Sequence, residues 1–211
     1  MKKVILIAFI SFISLAVTAQ VKFGAQIGGN IANVVGELDN DPIVTKSKFG
    51  VVLGVVAQIP LAKKVFFKPE LNFIQKGYSG DIEGETIEST LNFFEIPLNL
   101  VFDIPTGGSS TIFLGGGPSI GFGVSGNTKY GTWSNKIKFD GATSSTDNYT
   151  HLKGTDFGGN LLAGIKMNGG VTLSLGYAIG FTDLVPGTNA ADGFLKTNGL
   201  NFKLGYLFGG K

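Results

Sequence analysis

Residues 117–121 read Gly-Pro-Ser-Ile-Gly, a G-x-S-x-G. In hydrolases this pattern can set a nucleophilic serine on a strained turn between a strand and a helix. The chain has one histidine, His151, and Asp140 lies between it and Ser119. Ser, Asp, His is the chain order of the α/β-hydrolase triad. The chemistry on offer is acyl transfer, with Ser119 attacking, His151 taking its proton and Asp140 orienting the ring.

The elements that would have to position these groups argue against it. A nucleophile elbow needs a helix after the serine, and "IGFGVSGNTKYG" at 120–131 has no helical period. Ile112, Leu114, Pro118, Ile120 and Phe122 share one parity and Ser119 has the other, which is a strand of period two. His151 falls in a Ser-, Thr-, Asn- and Gly-rich stretch, 124–154, and reads as a solvated loop histidine without a partner. Ser134, Ser144 and Ser145 share that stretch, and an outer-membrane lipid-modifying enzyme could use one of them with His151. No cysteine or second histidine is present to complete a metal site. Glu37, Asp39 and Asp41, and Asp81, Glu83, Glu85 and Glu88, could meet a divalent cation. Their spacing matches no calcium loop, so they read as solvated acidic loops. No catalytic, cofactor-binding or metal-ligating residue is assigned, and no enzymatic activity is expected.

Composition says what kind of scaffold this is. Glycine takes 33 of 211 positions, about twice its ordinary share. Charged residues make up 15%, against roughly 25% in soluble domains. Residues 1–19 carry Lys2 and Lys3, an apolar run too short to span a bilayer, and small residues at Val17 and Ala19. They read as an export signal cleaved after Ala19, leaving 20–211 as one domain. Of the 17 basic residues, all lysine, two lie in that leader, and the remaining 15 balance 15 acidic residues. Such a neutral chain is no nucleic-acid binder.

The mature chain divides into eight alternating runs of roughly 12 to 15 residues: 21–33, 47–59, 64–77, 89–103, 110–123, 155–167, 171–183 and 197–208. In 171–183, Val171, Leu173, Leu175, Tyr177, Ile179 and Phe181 oppose Thr172, Ser174, Gly176, Ala178, Gly180 and Thr182. The polar faces are mostly Gly, Ser, Thr and Asn, too weakly charged for a water-facing surface. The links alternate long and short: 34–46, 60–63, 78–88, 104–109, 124–154, 168–170 and 184–196. Membrane barrels show this pattern, with short periplasmic turns and long outer loops. The expected fold is all-β, an eight-stranded antiparallel up-and-down transmembrane β-barrel. A barrel of this size is filled by its own side chains. Lys22, Gln26, Asn30, Lys68, Glu70, Asn72, Glu95, Asn99, Asp156, Asn160, Lys166, Asn201 and Lys203 should point inward, with acids and lysines pairing. Tyr78, Tyr130, Trp133 and Tyr149 suit an interface belt or loop packing. The competing fold is a soluble lipocalin-like carrier with the apolar face inside.

Several stretches carry a family resemblance: "KFGAQIGGNIANV", "FFKPELNFIQKGY", "FFEIPLNLVF", "LGGGPSIGFG", "DFGGNLLAGIKM" and "LSLGYAIGFTDL". Glu95-Ile96-Pro97-Leu98 is the most specific. On these the chain resembles the PorT-like outer-membrane β-barrel proteins of Bacteroidetes. The aromatic-rich strand Phe202–Phe208 is similar to the signal read by barrel-assembly machinery, with a Gly-Gly-Lys tail as a departure. The resemblance implies an outer-membrane location, insertion by that machinery and contact with outer-membrane lipid. The family's named member is associated with secretion and gliding, a role not carried over here. The expectation is a monomer with a filled lumen that acts structurally, or through its outer loops on a protein partner in a secretion or adhesion apparatus.

Overall fold

The computed structural model describes residues 21–38, 41–42, 45–82, 84–143, 149–187 and 193–209. The expected export signal 1–19 lies outside them, as do Asp39, Glu83, Ser144 and Ser145. The strands are β1 (Lys22–Leu38), β2 (Asp41–Pro42), β3 (Lys46–Ala62), β4 (Val65–Ile82), β5 (Glu85–Pro105), β6 (Thr111–Tyr130), β7 (Trp133–Lys138), β8 (Thr150–His151), β9 (Thr155–Lys166), β10 (Val171–Gly180) and β11 (Phe194–Leu207). The eight long ones pair antiparallel in the ring β1–β3–β4–β5–β6–β9–β10–β11. The ring closes where β1 meets β11, from Gly24 opposite Leu207 to Glu37 opposite Phe194. Closure satisfies every strand edge, which a sheet in hydrocarbon requires.

Through the middle of the ring most of the large apolar side chains point outward. Leu161 is 67% exposed, Leu175 58% and Phe157 56%. In water such a surface would be unfavourable by ~25 cal/mol for each Å² left exposed; against acyl chains it is the stable arrangement. This outward apolar face overturns the lipocalin-like alternative. The inward positions carry Gln26, Asn30, Lys68, Glu70, Asn72, Glu95, Asn99, Asp156, Asn201 and Lys203, all buried. Lys22, Asn160 and Lys166 are half-buried.

The run Gly115-Gly116-Gly117 has a structural cause. A Cβ on Gly117 would sit 2.0 Å from the Leu98 carbonyl oxygen, and one on Gly115 2.4 Å from that of Leu100. The glycines let β6 lie this close to β5, as glycine in a barrel strand often does.

Two expectations about the links are corrected. Residues 78–88 are not a loop: β4 runs to Ile82 and β5 starts at Glu85. Residues 124–154 are not all irregular either, since β6 continues to Tyr130 and pairs with β7. β5 has 21 residues and β6 has 20, longer than the expected runs. The extra length went unseen because the outward face stops being apolar partway up these strands. The other end is short, with turns at 63–64, 106–110 and 167–170.

Candidate functional site

The lumen holds two charge networks of opposite sign. In the first, Glu70 sits among two lysines. Lys203 donates to Glu70 Oε2 at 2.6 Å, and Lys68 Nζ lies 3.3 Å from Oε1. Gln26 Nε2 donates to Glu70 Oε2 and to Asn72 Oδ1, both at 2.7 Å, and Asn72 Nδ2 returns a bond to Glu70 at 3.0 Å. In the second, Lys76 sits among two acids. Its ammonium is 2.7 Å from Glu95 Oε2 and 3.1 Å from Asp156 Oδ2. Thr197 donates to Asp156 Oδ2 at 2.8 Å. One triad is net positive and the other net negative, so together they balance. Near the short turns Lys166 pairs with Asp103.

Burying a lone ion costs several kcal/mol, and pairing offsets it only with good geometry and further hydrogen bonds. Both triads add hydrogen bonds to their ion pairs, from Gln26 and Asn72 to Glu70 and from Thr197 to Asp156, while Asp156 Oδ1 has no hydrogen-bond partner within the protein. Between them lies a cavity of about 20 Å³, lined in part by Asn72, Glu95, Asn99, Asn201 and Lys203. It has room for one water, which would donate to the Oδ1 atoms of Asn99 and Asn201, unpaired within the protein.

Above the lumen the chemistry changes. Leu91, Phe93, Ile137, Leu152 and Leu184 form a buried apolar cluster with Val52 and Ile74, and Phe139 and Leu195 pack against it. The Phe93 and Phe139 rings meet edge-on with centroids 5.2 Å apart. Leu152 and Leu184 come from the connections and are drawn over the mouth by backbone bonds. Leu152 N donates to Lys138 O at 2.8 Å, Lys153 N to Leu184 O at 2.8 Å and Leu184 N to Leu195 O at 2.8 Å. Asp183 Oδ1 accepts from Val185 N at 3.0 Å and Leu195 N at 2.9 Å. These bonds fix the turn that presents Leu184.

The residues first singled out come together only in part. Asp140 and His151 do meet: His151 Nδ1 lies 2.6 Å from Asp140 Oδ1. This corrects the reading of His151 as partnerless; its side chain is only 10% exposed. Asp140 also accepts from Ala142 N at 3.1 Å, an Asx-turn, and Gly141 N donates to Leu152 O at 3.0 Å. The pair thus pins the connection that carries Leu152. The hydrogen bond from His151 holds the Asp140 carboxyl below its usual range.

Ser119 is elsewhere. It pairs in register with Pro97 and Gly158 inside the ring, its hydroxyl turned toward Gly158. Gly123, whose N–H reaches Gly154 O, is four residues further up, or about 13 Å along the strand. His151 lies beyond that. Ser134 sits four residues from Lys138, the partner of His151 in register. Neither serine is placed to share a proton with His151.

The acidic sets are corrected too. Asp81, Glu85 and Glu88 lie on strands. Lys46 pairs with Asp81 and Lys48 with Glu88, and these partners hold both carboxyls low. Among the described residues no three His, Asp or Glu side chains gather to hold a metal. Of the aromatics, Trp133 and Tyr149 are exposed beyond the apolar band, at 58% and 38%.

The expected lumen set lacked its most connected cation, Lys76, and also Thr197. Lys76 shares a face with Lys68, Glu70 and Asn72, so its parity was a usable signal. Thr197 had none, because a threonine at a strand start looks like any other.

Residues 17–185, most of the chain, match the family described as outer membrane protein beta-barrel domain. No curated protein sequence matches the chain. Solved structures similar to it include the Neisserial surface protein A, at 13% identity over 87% of this chain and 96% of that one, TM-score 0.47. OprG from Pseudomonas aeruginosa is similar at 12% identity over 89% and 95%, TM-score 0.45. Ail, the attachment invasion locus protein of Yersinia pestis, is similar at 10% identity over 88% and 98%, TM-score 0.39. With an outward apolar belt, a polar lumen and a family match over most of its length, the chain belongs to the outer membrane protein beta-barrel domain family.

Proposed function

We propose that this outer-membrane protein is a closed monomeric barrel that works through the surface it raises outside the cell, as an anchor or interaction partner. It is no diffusion pore and no enzyme. The observation that carries this reading is the apolar plug of Leu91, Phe93, Ile137, Leu152 and Leu184 over a lumen already filled by paired charges. Solutes have no path through it, whereas the β4–β7 extension stands free to be recognised. Long connections mark the outer end and short turns the periplasmic end. Residues 1–19 direct export and are removed, and the barrel-assembly machinery inserts the rest.

The reading is tested in planar lipid bilayers. The purified protein, shown to be folded by a heat-modifiable gel shift, should give no conductance steps. Stable single-channel openings would overturn the closed-barrel reading.

A further inference from the structure

The short-turn end of the barrel carries a one-sided charge. Its described charged residues are Lys22, Lys63, Lys64, Asp103 and Lys166. The one acid, Asp103, has inward parity between Phe102 and Ile104 and is paired with Lys166. The next carboxylate up the barrel is Glu70, buried and held by Lys68 and Lys203. Lys22, Lys63 and Lys64 have no ion-pair partner among the described residues. Residues 1–20, 210 and 211, outside the described set, contain no Asp or Glu. No side-chain carboxylate is therefore left at this end to neutralise the three lysines. The mature chain is neutral, so the excess comes from placement alone.

The surroundings decide what this charge attracts. Lys63 and Lys64 are exposed and make the turn between β3 and β4. Lys64 O accepts from Asp103 N at 2.9 Å, which seats the turn beside the end of β5. Directly above it, facing outward, come Leu61, Phe102 and Ile104, all exposed and apolar. Val65 joins them, opposite Phe102 in register. The hydrocarbon-facing band thus runs down to the lysines without a polar step. Lysine stems can lie along such a surface while the ammonium groups reach the polar boundary. Lys22, opposite Gln58 in register, adds to the field from β1. Whatever sits here meets cations with its head and an apolar wall with its tail, which fits a lipid better than a polar cell-wall polymer.

We propose that the β3–β4 turn binds the phosphate of an anionic phospholipid in the periplasmic leaflet. Lys63 and Lys64 hold the headgroup, and the acyl chains lie over Leu61, Phe102 and Ile104. The proposal rests on the reading above, in which the short turns face the periplasm. An ammonium–phosphate contact is a charge-assisted hydrogen bond, stronger than a neutral one. At the membrane surface each lysine adds to the attraction for anionic lipid.

The test titrates the full mature chain in uncharged maltoside micelles and follows the Lys63, Lys64 and Ile104 amides by NMR. The probes are phosphatidylglycerol, phosphatidylcholine with the same chains, glycerol 3-phosphate and a soluble muropeptide. Phosphatidylglycerol should shift these amides at the lowest concentration, and its affinity should fall as salt is raised. Lys63→Gln/Lys64→Gln should bind it about twentyfold more weakly. Lys129→Gln, at the other end, should bind it unchanged. A heat-modifiable gel shift shows that each variant is folded. If the double variant lacks the shift, Lys63→Gln alone should still weaken binding about fivefold. The proposal is overturned if phosphatidylcholine binds equally well, or if the folded turn variants bind like the unmodified chain. Glycerol 3-phosphate binding as tightly would make this a free-anion site, and tighter muropeptide binding a cell-wall contact; either overturns the lipid. The leaflet is tested separately. Lys63→Cys in intact cells should resist a membrane-impermeant maleimide and react after lysis. Labelling of intact cells would overturn the periplasmic placement and the orientation it rests on, whereas weak lipid binding with a protected cysteine overturns the lipid site alone.

Discussion

Strand β5 keeps the same parity facing outward along its whole length, yet its two faces exchange character partway. From Phe94 to Ile104 the outward residues are Phe94, Ile96, Leu98, Leu100, Phe102 and Ile104, and the inward ones include Glu95 and Asn99. From Thr86 to Asn92 the outward residues are Thr86, Glu88, Thr90 and Asn92, and the inward ones are Ile87, Ser89 and Leu91. The exchange falls between Phe93, fully buried, and Phe94, 46% exposed. At this level the β5–β6 register shifts and Val124 is left without a partner, a bulge that lets β6 re-aim its side chains. One continuous strand thus obeys two solvents. Below the exchange, hydrocarbon demands an apolar exterior and leaves polar groups to the lumen. Above it, water permits a polar exterior, and the apolar residues turn in to build a small core like that of a soluble protein. The buried triads of ions lie in the lower half, beside a small cluster of Val101, Phe113 and Leu162, and the larger apolar core lies in the upper half.

That division predicts different failures. The largest expected effect is in the lower half. Lys76→Met removes the one cation between Glu95 and Asp156 and leaves two buried carboxylates facing each other. The cost should be about 3–5 kcal/mol, read as a lower urea midpoint for loss of the folded gel band. Adding Glu95→Gln and Asp156→Asn should recover most of it, because breaking a buried pair costs more than removing it whole. An unchanged midpoint for Lys76→Met would show that the lower half does not depend on its charges.

Leu184→Ala probes the upper half. Truncating a buried leucine costs about 2–5 kcal/mol, but here the loss should stay local. The amides of Lys153 and Leu184, which bond across the plug, should exchange faster by hydrogen exchange while the urea midpoint of the barrel barely moves. An equal loss in both measurements would mean that plug and barrel are one cooperative unit.

Acid should loosen the plug by a smaller step. His151 holds the Asp140 carboxyl below its usual range, so the folded form is favoured by ionisation. The stabilisation is complete above the ordinary carboxylate pKa of about 4 and is lost as pH falls below it. Protection of the Gly141 and Leu152 amides should drop across that window. Asp140→Asn should abolish the step.

How much of this was legible follows from the same comparison. The eight strands were readable because the hydrocarbon-facing parity is uniform: Leu173, Leu175, Tyr177 and Ile179 repeat without interruption. The lumen set was readable by elimination, as the polar residues of opposite parity. Above the exchange neither rule holds. Thr86 through Asn92 alternate with the reverse sense, so the expected run begins only at 89, and residues 85–88 read as part of a loop while forming the upper end of β5. Leu152 and Leu184 sit in Gly- and Thr-rich connections, where a single leucine carries no period. Their burial depends on bonds to Lys138, Leu195 and Lys153, distant in sequence. The Asp140–His151 contact depends on the parallel pairing of β7 with β8, which nothing local announces.

The smallest expected effect concerns the serine of the hydrolase-like pattern. Ser119→Ala should change stability by less than about 0.5 kcal/mol, since it removes one hydroxyl beside Gly158 and no packing atom. His151→Ala should loosen the plug amides that Ser119→Ala leaves alone, because the histidine anchors a connection and the serine belongs to the lumen wall. Neither should alter the lipid profile of cells that carry it. A working triad would behave in the opposite way. Its members act as a unit, so removing either one costs nearly as much as removing all, and the two variants would lose the same lipid-modifying activity. The discriminating observation is therefore whether the two substitutions share a phenotype. Divergence places Ser119 and His151 on the two sides of the exchange in β5, one in the polar lumen and the other at the apolar plug.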